Sequence, residues 1–263
     1  RVRSLPMDSA VQQAAELDRK GYRELVLTGI EIASYGVDLP EKPDLADVVC
    51  AVAKAAPHMR LRLGSIEPSI INEEFCAKLA SCGSVCRHLH LSLQSGCDAT
   101  LKAMNRKYDT ARFYEAMQLL RKHFPDCGLT CDVIVGFPGE SEQHQTETLE
   151  FLKKARFSDA HIFPYSRRPG TPADKMDGQL DRATKAKRSK QAQAVVAETR
   201  DEFLRSMIGK TLPVLFETKH GKGWLGHSDN YLEVMAEGEE LRGTVRNVSI
   251  HAVSDGILVG NVI

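Results

Sequence analysis

The chain has 263 residues, 35 Lys+Arg against 35 Asp+Glu, and 42% hydrophobic residues. That length suggests one large domain, or one large and one small, and allows about three quarters of the unfolded surface to be buried without disulfide staples. The composition excludes a disordered or collagen-like chain, no run reaches the ~18 apolar residues of a membrane span, and zero net charge excludes a protein that coats nucleic acid by charge alone.

The chain opens RVRSLP, with no Met, signal peptide or apolar h-region, and reads as a piece of something longer. Asp8 is placed to cap a helix that runs to Lys20 and ends at Gly21. ELVLTG (24–29) is a short apolar strand. Asp44 caps a helix through Ala56, with Asp47 favoured by the helix dipole. LRLGS (61–65) is the next strand, 72–82 a helix, and HLHLSL (88–93) a strand. Phe113, Met117, Leu120 and Phe124 mark one face of a helix from Thr110. LTCDVIVG (129–136) is a strand, 141–155 a helix, AHIFPY (160–165) a strand, and 181–206 a long connector helix. Repeated βα units predict parallel strands with right-handed crossovers. After Gly209 the pattern changes to the β segments LPVLFET, YLEVMA, LRGTVRNVSIHAV and ILVGNVI, punctuated by turn residues. These predict a small OB-like barrel, so the expected domains are 1–206 and 207–263.

Seven cysteines, an odd number, argue against a secreted disulfide framework and for a reducing, cytoplasmic setting. Cys127 and Cys131 lie in a strand, where their sulfurs stand roughly 13 Å apart, too far to share a metal ion. Cys82 and Cys86 bracket Gly83 and have no third cysteine at ligand spacing. All seven are expected to be packing thiols, and no metal ligand set is assigned.

Strand faces choose between a doubly wound sheet and a barrel. A strand covered by helices on both sides is apolar on both faces. Strand 88–94 instead puts His88, His90, Ser92 and Gln94 on one face and Leu89, Leu91 and Leu93 on the other. Thr130 and Asp132 share a face of the next strand, as do His161, Phe163 and Tyr165 of the last. One polar face per strand describes the lumen of an incomplete (β/α) barrel, with its site at the C-terminal strand ends. The loops there read Thr28-Gly29-Ile30-Glu31, Ser65-Ile66-Glu67-Pro68, Gln94-Ser95-Gly96, GFPGE (136–140) and Tyr165-Ser166-Arg167-Arg168-Pro169-Gly170. Taken singly, each is an ordinary βα loop. On the residues alone, two classes stay open. One is a barrel enzyme with acid–base groups among Glu67, Asp132 and Glu140; the other is a non-catalytic RNA-binding module.

In order and spacing, LTGIEIASYG, LRLGSIEP, HLHLSLQSG with LKAMNRKY, DVIVGFPGE and HIFPYSRRPGTPA resemble the radical-SAM methylthiotransferases. The closest branch acts on threonylcarbamoyl-adenosine beside the tRNA anticodon; the alternative branch acts on isopentenyl-adenosine. GHSDNYLEV and ELRGTVRNVSI are similar to the TRAM domain that ends these enzymes. The resemblance implies a radical-SAM partial barrel followed by a TRAM domain. It also implies S-adenosylmethionine (SAM), two 4Fe-4S clusters in the intact enzyme, a reductant protein and a tRNA anticodon stem-loop as substrate. Gly29, Ile30 and Glu31 stand where the family edge pairs with the SAM amino group. Ser65 and Glu67 stand where polar residues reach its methionine or ribose part. Gln94 and Ser95 sit in the loop facing the site, Val133 to Gly136 match the stretch that packs on adenine, and Asp132 and Tyr165 complete the expected SAM-binding set.

Arg167 or Arg168 is expected to neutralise either a SAM carboxylate or an RNA phosphate, and Lys185, Lys187 and Arg188 in the basic run 182–190 are the expected RNA phosphate contacts. Trp224, His227 and Tyr231 offer stacking and hydrogen bonding to RNA, although Trp224 reads equally as barrel core. The family's C-x3-C-x2-C cluster motif is absent from these residues. The expectation is that this chain binds no cluster and lacks methylthiotransferase activity by itself.

Overall fold

In a computed structural model describing residues 1–263, the first two hundred residues alternate helix and strand. In order they are α1 (Met7–Arg19), β1 (Glu24–Leu27), α2 (Leu45–Ala55), β2 (Arg60–Leu63), α3 (Glu73–Ser81) and β3 (His88–Gln94). There follow α4 (Asp98–Ala103), α5 (Thr110–His123), β4 (Gly128–Val135), α6 (Glu142–Ala155), β5 (Asp159–Pro164) and α7 (Arg182–Arg205). β1 pairs with β2, and β3, β4 and β5 pair in sequence, all in parallel. Single bridges at Leu61–Val85 and Ile66–Leu91 carry the wall from one sheet to the other. The result is the expected incomplete barrel. Leu89, Leu91 and Leu93 are fully buried on the helix side, while His90, Ser92 and Gln94 are half-buried on the other face.

Local chemistry sets the helix ends. Asp44 and Asp47 form a reciprocal capping box on α2. Asn72, Asp109, Ser141 and Asp181 cap α3, α5, α6 and α7 through their side chains. Gly83, just past α3, takes a left-handed φ of 69° that suits glycine. Asp8 does not cap α1. Pro6 occupies that position and Asp8 falls inside the first turn, where its charge still favours the helix dipole. The short α4 lies in a stretch that carried no clear helical period.

One cysteine expectation fails. Cys50 of α2 and Cys82 at the end of α3 form a disulfide, with Cα atoms 5.6 Å apart, and only the other five are free, all buried. The partners are 32 residues apart in sequence, and only the packing of α2 against α3 brings them together. The cysteine count therefore no longer argues for a reducing compartment. No helix is long and apolar enough to cross a membrane.

β6 (Thr211–His220), β7 (Gly223–Ser228), β8 (Glu233–Glu237), β9 (Val245–Ser254) and β10 (Ile257–Val262) form a closed barrel in the order β10-β8-β7-β6-β9. Its pairs are antiparallel except β8 with β10, which run parallel and complete the closure. A core of 39 buried residues runs from Ala14 to Val196 and a second of 12 from Leu204 to Leu258. The chain passes from one to the other along α7.

The small barrel docks on the N-terminal ends of the parallel strands. Arg60 and Arg62 are held by Glu24 at 2.5 and 3.0 Å and donate onward to the carbonyls of Pro213, His227, Ser228 and Asp229. Arg87 grips Asp229 with two bonds of 2.6 and 3.1 Å. Asn230 Nδ2 donates to the Asp126 carbonyl, and a Cβ on Gly128 would stand 2.3 Å from the Asn230 oxygen, so only glycine permits this approach.

Candidate active site

The lumen face of the wall divides into a floor, a middle and a mouth. At the floor, the Tyr231 ring stacks with both His88 and His227, with centroids 4.5 and 5.1 Å away, and the Arg62 guanidinium lies 4.7 Å from its centre. Burial and the nearby Arg62 push the His88 pKa down to about 3, so this ring is neutral in the folded chain. Tyr231 and His227 are thus engaged in docking the two domains. His227 Nδ1 also lies 2.7 Å from Glu217, and Trp224 packs on the C-terminal core and donates to the Gly238 carbonyl at 3.2 Å. These are structural duties that composition alone could not separate from RNA stacking.

In the middle, the strand register brings together side chains from three strands. His90 lies opposite Thr130, and Asp132 opposite His161. Thr130 Oγ1 sits 2.9 Å from His90 Nδ1 and 3.0 Å from His88 Nε2, while His90 Nε2 lies 3.4 Å from Asp132. His90 holds the Asp132 carboxyl below its ordinary pKa, with help from His161. The period-two pattern of each strand put these residues on one face, but a single sequence does not give the register that joins them.

The mouth is built from the strand C-terminal ends. Gly29, Ile30 and Glu31 form an exposed segment after β1, which has no strand partner on its other edge. Ser65 is exposed, and Glu67 is 3.4 Å from Arg106. Gln94 takes a left-handed φ of 69°, unusual for a residue with a side chain and typical of ligand-facing turns. The Tyr165 hydroxyl is buried without a hydrogen-bond partner, and its ring meets Phe137 edge-on. Gly136 N–H is taken by the Glu140 carboxylate at 2.9 Å.

Two expected SAM contacts point elsewhere. Ser95 is buried, with its hydroxyl accepting from Cys97 N–H and lying 3.4 Å from the Thr148 hydroxyl of α6. Val133 has the opposite pleat from Asp132 and is fully buried in the core, so only its backbone remains for a ligand.

The basic run also divides. Arg188 is not available to a phosphate. It is buried, bonded to Glu140 Oε1 at 2.6 Å and to Glu142 at 3.0 Å, because it shares the inward face of α7 with Ala192 and Val196. Lys185 donates to the Tyr165 carbonyl and lays its stem over Gly136, where a Cβ would meet it at 2.3 Å. It walls one side of the mouth. Lys187 is exposed and 4.0 Å from Glu142; Arg167 pairs with Asp174 at 2.9 Å; Arg168 is exposed and makes no ion pair.

The cysteines do not fit an iron–sulfur cluster. Two are bonded to each other, and the other five are buried. Burial pushes the thiols of Cys76, Cys86 and Cys127 up to about 11 and that of Cys131 well above its ordinary value, away from the thiolate form that binds metal.

An open parallel wall clad in helices, with polar loops at its C-terminal rim, defines the class of partial (β/α)-barrel folds. Residues 1–152, more than half of the chain, match the family model described as the Radical SAM superfamily. The chain belongs to that superfamily. It is 37% identical over 231 residues to the threonylcarbamoyladenosine tRNA methylthiotransferase MtaB of Thermotoga maritima, covering 88% of this chain and 53% of that protein. It is 33% identical over 267 residues to the tRNA-2-methylthio-N(6)-dimethylallyladenosine synthase of Acetivibrio thermocellus, covering 100% and 56%. It thus spans about half the length of these curated relatives. Among solved structures, the coproporphyrinogen III oxidase HemN of Escherichia coli, a radical SAM enzyme, superposes with a TM-score of 0.55 at 12% identity, over 95% of this chain and 62% of that one. TsrM of Kitasatospora setae, a radical SAM methyltransferase, reaches 0.52 at 18% identity, over 64% and 32%. These two likenesses concern the fold.

Proposed function

We propose that this chain is the SAM-holding and RNA-facing part of an enzyme that methylthiolates threonylcarbamoyl-adenosine in tRNA. The observation that carries this reading is the similarity along nearly the whole chain to tRNA methylthiotransferases of both branches. The motifs LTGIEIASYG and HIFPYSRRPGTPA favour the threonylcarbamoyl branch over the dimethylallyl one.

The mouth fits SAM chemically. The free edge at Gly29 to Glu31 offers backbone groups to its amino acid part, Ser65, Glu67 and Gln94 offer polar side chains, and the orphaned Tyr165 hydroxyl needs a partner. When bound, SAM supplies a methyl group and the hydrogen-abstracting fragment of radical chemistry. The chain's own residues bind and orient it, and Lys185 with Phe137 shields it from water on one side. The cluster ligands and the docking of a reductant protein belong, in this proposal, to other parts of the enzyme, and this chain alone is inactive. tRNA meets the exposed cations Arg168, Lys187 and Lys190 beside the mouth.

Equilibrium dialysis with SAM, and filter binding of anticodon stem-loops carrying either modified adenosine, test the reading. The expected result is SAM binding weakened at least tenfold by Tyr165→Phe with Glu67→Gln. The threonylcarbamoyl stem-loop should bind more tightly than the other, with a salt dependence reduced by Arg168→Ala with Lys187→Ala. Absence of SAM binding would overturn it, and RNA binding without SAM binding would favour a non-catalytic RNA module.

A further inference from the structure

We propose that His90, Asp132 and His161 form a binding site for one divalent transition-metal ion of the zinc class. Their ligand atoms all lie within 4.8 Å of one another, the sole cluster of three or more such groups in the chain. Two imidazoles and a carboxylate are a donor set that zinc and its borderline neighbours accept.

Three features of the geometry support a metal rather than a plain hydrogen-bonded cluster. Bonds of ~2.0–2.1 Å in a tetrahedral site put neighbouring ligand atoms about 3.3 Å apart. His90 Nε2 and Asp132 Oδ2 stand 3.4 Å apart, which is long for a direct N–H···O bond and close to that ligand–ligand separation. Thr130 Oγ1, 2.9 Å from His90 Nδ1, engages the ring nitrogen remote from the site. Such a contact fixes the tautomer and aims the other nitrogen at the ion. Finally, the three side chains come from adjacent parallel strands, a rigid platform, while His161 is exposed toward the lumen. The site therefore keeps a coordination position open to water or to an oxygen of a bound molecule, as catalytic rather than structural zinc sites do.

The inference needs neither SAM nor RNA, so its failure is separable from that of the proposed function. The purified full chain, stripped with chelator, is titrated with Co2+ as an optical stand-in for zinc and then with Zn2+ in competition. One Co2+ per chain is expected, with visible absorption and no thiolate charge-transfer band, displaced by one Zn2+. His161→Gln, a substitution of an exposed side chain, should weaken binding at least tenfold with an unchanged circular dichroism spectrum. Thr130→Val, which removes only the supporting hydroxyl, should weaken it by ~10–100-fold. The exposed His251→Gln should leave it unchanged. No stoichiometric Co2+ binding, or binding that survives His161→Gln, or a spectrum dominated by thiolate ligation, would each overturn the proposal.

Discussion

The guanidinium of Arg188 and the carboxylate of Glu140 are 3% and 2% exposed and 2.6 Å apart. Such a pair adds little beyond the desolvation of its own charges, yet removing one partner leaves the other buried and uncompensated, at a cost of ~3–5 kcal/mol. Arg188→Ala should lower the urea unfolding free energy by about that amount, while Lys187→Ala, on the exposed face of the same helix, should change it by less than ~0.5 kcal/mol. Equal effects would show that the pair is not a structural anchor. The sequence held part of this. Arg188 lies in line with Ala192 and Val196 at intervals of four, the spacing of an inward face, but a run of five cations masks one inward member. The same limit governs the lumen. Alternation put His90, Asp132 and His161 on polar faces, whereas their meeting depends on strand register, which is set by packing elsewhere. Glu24, which braces both Arg60 and Arg62, carried no sequence signal at all.

Among the elements, the parallel strands and long helices were legible to within a residue or two, because apolar period and capping residues agree there. β7 was not. Its GWLGHS run has two glycines and a histidine in six positions, which erases the alternation. Gly226 is nevertheless dictated by the sheet. A Cβ there would stand 2.1 Å from the Leu215 carbonyl oxygen and 2.8 Å from the Phe216 Cα. Gly226→Ala must therefore push β6 and β7 apart, and a loss of ~1–3 kcal/mol is expected from such overpacking. Thermal denaturation followed by tryptophan fluorescence reports it directly, since Trp224 is the only tryptophan and lies on the same strand. An unchanged midpoint would mean that the two strands do not lie so close.

For the whole molecule, the docking of the small barrel on the strand N-termini ties stability to pH. His88 has a folded pKa of about 3, against an ordinary value of 6.5. The unfolded chain therefore takes up this proton first. The contribution is fully present above pH ~6.5 and is lost as pH falls toward 3, with a slope of up to ~1.4 kcal/mol per pH unit. Denaturant unfolding between pH 7.5 and 5 should show this loss, and His88→Phe, which keeps a ring against Tyr231, should flatten it. Parallel profiles would refute the assignment. The parallel pairing of β8 with β10 has a temporal consequence as well. During synthesis the small barrel remains an open sheet until residues 257–262 have been made. Until then Arg60, Arg62 and Arg87, already placed by the first domain, wait for carbonyls and a carboxylate that the unfinished barrel does not yet hold in position. The first domain can fold as a unit before the second, but its underside is finished last.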